Sequence, residues 1–158
     1  MTTHYLTLPL SQDERKLLKA GDLVYLSGTL FTARDQAHKR LIESLKKNEI
    51  LPIDLQSATI YYTGPTPTAP GKISGSVGPT TSYRMDPYAI TLMEQGQHTT
   101  IGKGERSDAY QEMLLKTNSI YFCAIGGVGA LLSKNILEMK TYSYPDLHTE
   151  AIHRLEVK

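Results

Sequence analysis

Cysteine is nearly absent from this 158-residue sequence, which contains a single one, Cys123. One thiol cannot form a disulfide within the chain. It also cannot supply the three or four thiolates that a cysteine-ligated zinc ion or iron–sulfur cluster normally requires. We therefore predict that the chain alone holds neither kind of centre, and that any such metal must come from another chain.

Long apolar runs and an excess of charge are also missing. The apolar runs are far shorter than the roughly 20 residues that cross a bilayer, and the N-terminus lacks a charged stretch followed by an apolar segment. Seventeen basic residues face sixteen acidic ones, without a lysine or arginine run that could form a nucleic-acid footprint. We expect a cytoplasmic protein that binds neither membranes nor nucleic acids, and the length predicts one domain over residues 1–158.

The stretch Gly78–Asp86 concentrates polar chemistry in nine residues: a rigid turn, three hydroxyls, a guanidinium and a carboxylate. Pro79 fixes its own φ and favours extended backbone before it, so Ile73–Val77 is predicted to be a strand that leads into the turn. Asp86-Pro87 is a typical N-cap and N1 pair, and it predicts a helix that ends before Gly96.

Two interpretations of this turn are open. Free backbone N–H groups at the helix start, together with Arg84, would form an anion site. Alternatively, Thr80, Thr81 and Ser82 make only the local hydrogen bonds that are usual at turns, and Arg84 is a surface charge.

Periodicity outlines the remaining elements. Strands are predicted at a weak edge position, His4–Leu10, and at Leu23–Leu30, Ala58–Thr63, Thr99–Gly104 and Ile120–Ile125. The last of these is the most hydrophobic, so it should be central and Cys123 buried. Helices are predicted from Ser11 to Gly21, from Thr32 to about Asn48, after Ser107 or Asp108, and over Ala130–Met139. The Pro- and Thr-rich segment Thr66–Gly71 is either a lid or a surface connection.

Arg34 follows the second strand and lies in the first turn of a predicted helix that Thr32 could cap. The helix dipole mildly opposes a cation there, and a residue that violates a local preference indicates a functional reason, here an anionic ligand shared with helix N–H groups. A structural ion pair with Asp35 or another carboxylate would also explain Arg34. His38, one turn later, is interpreted as a packed histidine.

Two glycine-containing turns follow later strands. Lys103 lies between Gly102 and Gly104, whose lack of side chains would let the backbone approach a ligand, although a surface lysine in a turn is the simpler interpretation. The segment Gly126–Gly129 is weak evidence for phosphate binding, and tight strand-to-helix packing is favoured.

These four turns, at residues 32–38, 78–86, 101–104 and 126–130, would converge at the carboxyl ends of the strands of an α/β sheet. Their sequences, TARDQAH, GPTTSYRMD, IGKG and GGVGA, resemble in order the beta subunit, or C-terminal domain, of class I fumarate hydratases and L(+)-tartrate dehydratases. The resemblance runs from Gly21 to Val157.

The resemblance implies an α/β fold of the swivelling β/β/α type: a single compact domain with a mixed sheet and flanking helices. It also implies a partner alpha subunit that carries a 4Fe-4S cluster and shares the active site with this chain. Carried over motif by motif, Arg34, Arg84 and Lys103 would bind the substrate carboxylates. Thr80 would be the candidate base, although a threonine hydroxyl is weak and needs electrostatic help.

Three hypotheses follow. The first is half of a hydro-lyase that interconverts fumarate and (S)-malate, with the partner's cluster as Lewis acid. Fumarate is favoured over L(+)-tartrate because tartrate-specific relatives tend to carry cysteines near the Arg34 motif and Glu at the Asp86 position, whereas this chain has Ala33 and Ala37. The second is a phosphate- or nucleotide-binding module, which lacks a Walker motif and a ribose-binding acid. The third is a non-catalytic assembly subunit, which would leave the clustered Arg and Thr turns unexplained.

Overall fold

The computed structural model describes residues 2–124 and 135–158, and the elements are numbered along this part of the chain. The strands are β1 (Thr3–Thr7), β2 (Leu23–Thr32), β3 (Thr59–Tyr61), β4 (Thr99–Gly102), β5 (Ile120–Cys123), β6 (Ile136–Ser143) and β7 (Ile152–Val157). The helices are α1 (Gln12–Leu17), α2 (Asp35–Lys46), α3 (Asp86–Glu94) and α4 (Asp108–Thr117), with 3₁₀ turns at Ser82–Met85 and Pro145–Glu150.

The described strands form one mixed sheet in the order β5-β4-β3-β2-β7-β6, with β1 beside the first half of β2. Strands β2, β3, β4 and β5 are parallel neighbours, and β7 and β6 are antiparallel. The parallel strands alternate with helices along the chain, as crossover connections require. The predicted α/β domain with a mixed sheet and flanking helices is therefore confirmed.

Adjacent residues of the central strand β3 face opposite sides of the sheet, as the strand pleat dictates. Ile60 packs with Leu41 of α2 and Leu92 of α3. Tyr61 packs on the other face with side chains that include Leu8 and Val77, both from irregular segments. Helices thus cover one face, and turns and loops cover much of the other.

Ile73–Val77 does not form the predicted strand. Hydrogen bonds to side chains replace the backbone pairing of a β-sheet in this segment. The Tyr61 hydroxyl donates to the carbonyl of Val77 at 2.5 Å, and the Ser76 N–H donates to Thr66 Oγ1 at 2.7 Å. The Thr66 N–H also donates to the Ser76 carbonyl at 3.0 Å. The Pro- and Thr-rich segment is therefore an exposed loop closed at its base by Thr66.

Strand β5 is an edge strand of the described sheet, which contradicts its predicted central position, and Cys123 is exposed rather than buried. The hydrophobicity of this segment correctly predicts a strand, but it does not determine whether other strands flank it on one side or on both. Residues 136–139 belong to strand β6 rather than to the predicted helix. The Gly126–Gly129 turn lies outside the described residues. Within them, every helix is too short or too polar to span a bilayer.

The predicted caps are partly correct. Ser11 forms a capping box with Glu14, and Ser107 caps α4 by accepting from the Tyr110 N–H. Thr32 does not cap α2, because it is the last residue of β2 and its hydroxyl is directed to the Ala151 carbonyl and His153. Asp86 begins α3 without capping it, because its carboxylate binds elsewhere.

Candidate active site

The turns that follow β2, β3 and β4 lie side by side at one edge of the sheet. The backbone pairing continues just beyond the strands, since the Ala33 N–H donates to the Tyr61 carbonyl at 3.1 Å and the Tyr62 N–H donates to the Ile101 carbonyl at 2.9 Å. Ligands of open parallel sheets bind at this edge. Three of the four predicted turns therefore meet where the sequence places them.

Arg34 lies in extended backbone directly before α2 (φ −112°, ψ −161°). Its side chain crosses Gly64, where a Cβ would lie 2.9 Å from Arg34 Cδ and 3.0 Å from the Thr149 carbonyl oxygen. Arg34 Nε is buried and has no hydrogen-bond partner among residues 2–124 and 135–158. The absence of a side chain at Gly64 thus lets the guanidinium lie against the neighbouring turn.

One of the N–H groups at the N-terminus of α2 is paired within the chain. The Gln36 N–H donates to Glu150 Oε1 at 3.3 Å, so a carboxylate of this chain already occupies one of the helix N–H groups. Acidic groups are favoured at a helix N-terminus by the helix dipole. An anion that binds Arg34 would therefore compete with Glu150 for the Gln36 N–H.

His38 is a packed histidine, as predicted. It is fully buried, contacts the rings of Tyr62 and Tyr88, and donates from Nδ1 to the Arg34 carbonyl at 2.8 Å. The same carbonyl accepts the His38 backbone N–H at 3.0 Å. Burial lowers the pKa of His38 to about 4, although the hydrogen bond to Arg34 and the charge of Asp35 oppose the shift. His38 is therefore neutral at pH 7 and fixes the backbone of Arg34.

Thr80 is held by the end of β3. Its N–H donates to the Tyr62 carbonyl at 2.7 Å, and the Thr63 hydroxyl donates to the Gly78 carbonyl at 2.7 Å. The Thr80 side chain is half-buried. Two successive residues just beyond β3, Tyr62 and Thr63, thus form hydrogen bonds with the backbone of the turn that carries the candidate base.

Arg84 connects the first and second turns. Its Nη2 lies 3.6 Å from Asp35 Oδ1, and the two side chains are 51% and 35% exposed. This distance exceeds that of a hydrogen bond, and half-exposed ion pairs contribute little to stability. Asp35 pairs with Arg84 rather than with Arg34, so the structural ion pair considered for Arg34 is absent from the described residues.

Lys103 is joined to the second turn through its backbone. Thr81 and Lys103 form an isolated parallel bridge, and the Ser82 N–H donates to the Lys103 carbonyl at 3.0 Å. The Asp86 N–H donates to the Tyr83 carbonyl within the 3₁₀ turn. The N–H groups of Ser82 and Asp86 are therefore both paired within the chain, and Lys103 lies beside the turn that carries Thr80 and Arg84.

A buried ion pair that the sequence did not indicate lies beneath these turns. Arg106 Nε donates to Asp86 Oδ1 at 2.5 Å, and the Ser107 N–H donates to Asp86 Oδ2 at 2.5 Å. The guanidinium carbon lies 3.4 Å from the Tyr110 ring centroid and 5.0 Å from that of Tyr62. Burial acts to lower the pKa of Arg106, but Tyr62, Tyr110 and Asp86 raise it, and the net shift is upward.

A local signal for Arg106 was available. It is a cation immediately before the N-cap Ser107, where the helix dipole disfavours it, and the same argument had singled out Arg34. The Asp86-Pro87 pair predicts a helix cap at Asp86, whereas the Asp86 carboxylate binds Arg106, 20 residues later in the sequence. The Asp86–Arg106 pair connects the start of α3 to the start of α4. It therefore stabilises the second and third turns, which precede these two helices.

The described residues do not provide a metal centre. They contain no group of three or more His, Cys, Asp or Glu side chains that could hold a metal ion. The whole sequence has one cysteine, and an iron–sulfur cubane normally needs three or four thiolates. The donor set of this chain therefore does not fit a 4Fe-4S cluster.

Comparison with known proteins identifies the family. The chain matches the family model "Fumarase C-terminus" over residues 4–158. It is 39% identical to fumarate hydratase 2 of Leishmania major over 140 residues, which are 87% of this chain and 25% of that protein. It is 38% identical to the putative L(+)-tartrate dehydratase subunit beta of Methanocaldococcus jannaschii over 157 residues, 94% of this chain and 78% of that subunit.

The L(+)-tartrate dehydratase subunit beta of Escherichia coli is 33% identical over 145 residues, 90% of this chain and 71% of that subunit. The chain thus spans about a quarter of the Leishmania fumarate hydratase and most of each tartrate dehydratase beta subunit. The predicted family is confirmed. The chain belongs to the fumarase C-terminal family, as a domain of the type found in class I fumarate hydratases and in tartrate dehydratase beta subunits.

Proposed function

We propose that this chain is the beta subunit of an iron–sulfur hydro-lyase that interconverts fumarate and (S)-malate, and that it shares its active site with a cluster-bearing alpha subunit. One observation carries the proposal: in a fumarase C-terminal domain, the turns that bear Arg34, Thr80, Arg84 and Lys103 meet at the ligand-binding edge of the parallel strands. An assembly subunit without a catalytic role would not need this arrangement.

The charges at this edge suit a dicarboxylate. Arg34, Arg84 and Lys103 would bind the two carboxylates, and Asp35 offsets part of their charge. In the dehydration direction, a base first takes the proton from the carbon beside a carboxylate. The C–O bond on the adjacent carbon then breaks, and the departing hydroxide and the proton taken by the base together make one water. The intermediate is an aci-carboxylate dianion, and pre-positioned cations stabilise such developing charge.

Thr80 is our candidate for the base. A threonine hydroxyl must lose its own proton first, and nearby cations favour the resulting alkoxide. Among residues 2–124 and 135–158, no side chain accepts a hydrogen bond from Thr80. We therefore assign any deprotonation of Thr80 to the surrounding cations rather than to a second base of this chain.

We place the 4Fe-4S cluster on the alpha subunit, because the residues of this chain do not fit it. The alpha subunit as partner is supported by the matches to two proteins named L(+)-tartrate dehydratase subunit beta.

Fumarate is the proposed substrate and L(+)-tartrate the alternative. The three positions that favour fumarate, Ala33, Ala37 and Asp86, are all buried, with at most 3% of each residue exposed. They would therefore act through packing of the turns rather than by contact with substrate. The matches to beta subunits of tartrate dehydratases are the observation that keeps tartrate as the second candidate.

The test is reconstitution with a candidate alpha subunit, encoded by a neighbouring reading frame with three cluster-ligating cysteines. Fumarate hydration and L(+)-tartrate dehydration are assayed without oxygen. We expect fumarate to be the better substrate. Lys103→Ala should reduce kcat/KM for fumarate far more than Lys46→Ala, a control at an exposed lysine in the last turn of α2, away from Arg34. Preference for tartrate would support the alternative, and turnover of neither would refute both.

A further inference from the structure

We propose that Ser82 and Tyr121 are positioning residues that fix the Lys103 turn against the turn of Thr80 and Arg84. This inference rests on the proposed function. The Tyr121 hydroxyl lies 2.8 Å from Ser82 Oγ and donates to the Gly104 carbonyl at 2.9 Å. Since a phenol has one proton, the Ser82 hydroxyl must be the donor to Tyr121. The two hydroxyls form one relay between the second and third turns.

The relay is part of a larger clamp. Ser82 is fully buried, and its backbone N–H donates to the Lys103 carbonyl at 3.0 Å. Ser82 therefore holds Lys103 directly through its backbone, and Gly104 indirectly through the Tyr121 hydroxyl. Because the two contacts hold the carbonyl groups of Lys103 and of the next residue, the clamp fixes the backbone from which the Lys103 side chain extends.

Gly102 makes the clamp possible. A Cβ at Gly102 would lie 2.0 Å from Ser82 Oγ and 2.8 Å from Tyr62 Cδ2, so only glycine lets Ser82 approach the third turn this closely. At Gly102 the missing side chain thus makes room for Ser82, a residue of the protein itself.

Tyr121 is oriented by two further contacts. The Arg106 guanidinium carbon lies 4.6 Å from the Tyr121 ring centroid, and Tyr110 meets the ring edge to face with centroids 6.3 Å apart. Burial raises the pKa of Tyr121 to about 12, so its hydroxyl keeps the proton that the clamp requires. The buried Asp86–Arg106 pair and the hydroxyl relay are therefore one connected support for the candidate site.

The first test measures the clamp without any activity. Tyr121→Phe removes the hydroxyl and keeps the ring, and Tyr142→Phe is the matched control on β6, away from these turns. Hydrogen exchange of the full chain should show a faster Ser82 amide in Tyr121→Phe, with unchanged amides in β2 and β7, and no change in Tyr142→Phe. An unchanged Ser82 amide in Tyr121→Phe would overturn the proposal.

The second test is a double-mutant cycle in the reconstituted enzyme. If Tyr121 acts through Lys103, Tyr121→Phe should reduce kcat/KM on the order of 10- to 100-fold, because small misplacements of catalytic groups have effects of this size. In a Lys103→Ala background it should have little further effect, since contacting groups are non-additive. An equal effect in both backgrounds, or none in either, would refute a positioning role.

The outcomes separate this inference from the proposed function. Activity of the native complex that Lys103→Ala reduces and Tyr121→Phe leaves intact would sink only the inference. A native complex that turns over neither substrate would refute the proposed function and, with it, the positioning role. Hydrogen exchange would still decide whether the clamp itself exists.

Discussion

Two glycines flank Lys103, and each serves a different physical purpose. Gly104 has a φ of +81°, a conformation that other residues rarely adopt, so it is needed for the turn itself. Gly102 is needed because Ser82 occupies the space of its side chain. A glycine–lysine–glycine sequence can thus be explained by backbone geometry and packing, and its functional content lies in the lysine.

Substitution of Gly102 tests this explanation. Gly102→Ala should destabilise the protein by about 1–3 kcal/mol, the usual cost of overpacking. A matched change at the exposed Gly71 is unsuitable as a control because its φ is +78°, so Ser74→Ala in the neighbouring loop serves instead. We expect thermal denaturation to show a lower Tm for Gly102→Ala alone.

A second substitution identifies the contact. In the Gly102→Ala background, Ser82→Ala removes the oxygen at 2.0 Å, and it should recover part of the lost Tm. Activity should not recover, because Ser82→Ala also removes the hydroxyl of the clamp. A double variant no more stable than Gly102→Ala would show that Ser82 is not the residue that requires glycine.

Arg84 tests whether the second turn binds a carboxylate. Lysine keeps the charge but loses the planar two-pronged donor. Loss of one buried, charge-assisted contact costs on the order of 2–5 kcal/mol, so Arg84→Lys should reduce kcat/KM of the reconstituted enzyme roughly 30-fold to several thousand-fold. Its Tm should hardly change, because the side chain is 51% exposed and its contact with Asp35 is long.

Arg40→Lys is the matched control for Arg84→Lys. Arg40 also faces a carboxylate, since both of its terminal nitrogens donate to Asp146, but it lies on the exposed face of α2. Its substitution should leave kcat/KM unchanged. Near-normal turnover in Arg84→Lys together with a reduced Tm would mean that Arg84 is a structural ion-pair partner and not a substrate ligand.

At the scale of elements, local patterns predicted what local interactions determine. The alternating run Leu23–Leu30 and the capping box at Ser11 are set by neighbours in sequence, and both were correct. Ile73–Val77 was wrong because side chains of β3 and the turns after it, 10 to 16 residues away, replace its strand partners. The sequence predicts the turns of the candidate site because each carries polar residues after a strand. It does not predict the supporting roles of Arg106 and Tyr121, because these residues contact residues that are distant in the sequence.

Helix α2 should make stability depend on pH through His38. Burial lowers the pKa of His38 from 6.5 to about 4. Between these two pH values, His38 is therefore mostly protonated in the unfolded chain and mostly neutral in the folded chain. The stability contributed by neutral His38 is complete above pH 6.5 and is lost as the pH falls towards 4. A shift of this size corresponds to about 3 kcal/mol in total.

His38→Asn measures this contribution, because asparagine can still donate to the Arg34 carbonyl but does not titrate. The free energy of unfolding of this variant should fall less steeply between pH 6.5 and 4 than that of the native protein. His148→Asn is the control, since His148 is exposed. Equal slopes for the native protein and His38→Asn would contradict the assignment of a buried neutral histidine.

At the scale of the whole molecule, the sheet brings together residues that are far apart in the sequence. The second turn contacts the turns of Arg34 and of Lys103: Asp35 lies near Arg84 on one side, and Ser82 binds Lys103 on the other. The second turn is therefore the link between the other two. Its supports come from β3 and, through Tyr121 and Arg106, from β5 and the start of α4, so the geometry of the candidate site depends on the assembled fold.

The last prediction concerns the chain without a partner. Expressed alone with iron and sulfide in the absence of oxygen, it should be colourless and should hydrate no fumarate, because one cysteine cannot hold a cubane cluster. Coexpression with the cluster-bearing alpha subunit should give a brown complex that hydrates fumarate. Cys123→Ser is the informative control: if the cluster belongs wholly to the partner, this variant of the complex keeps both its colour and its activity. Visible cluster absorbance with turnover from the single chain would refute the two-chain proposal, and loss of the cluster from the Cys123→Ser complex would place a ligand on this chain.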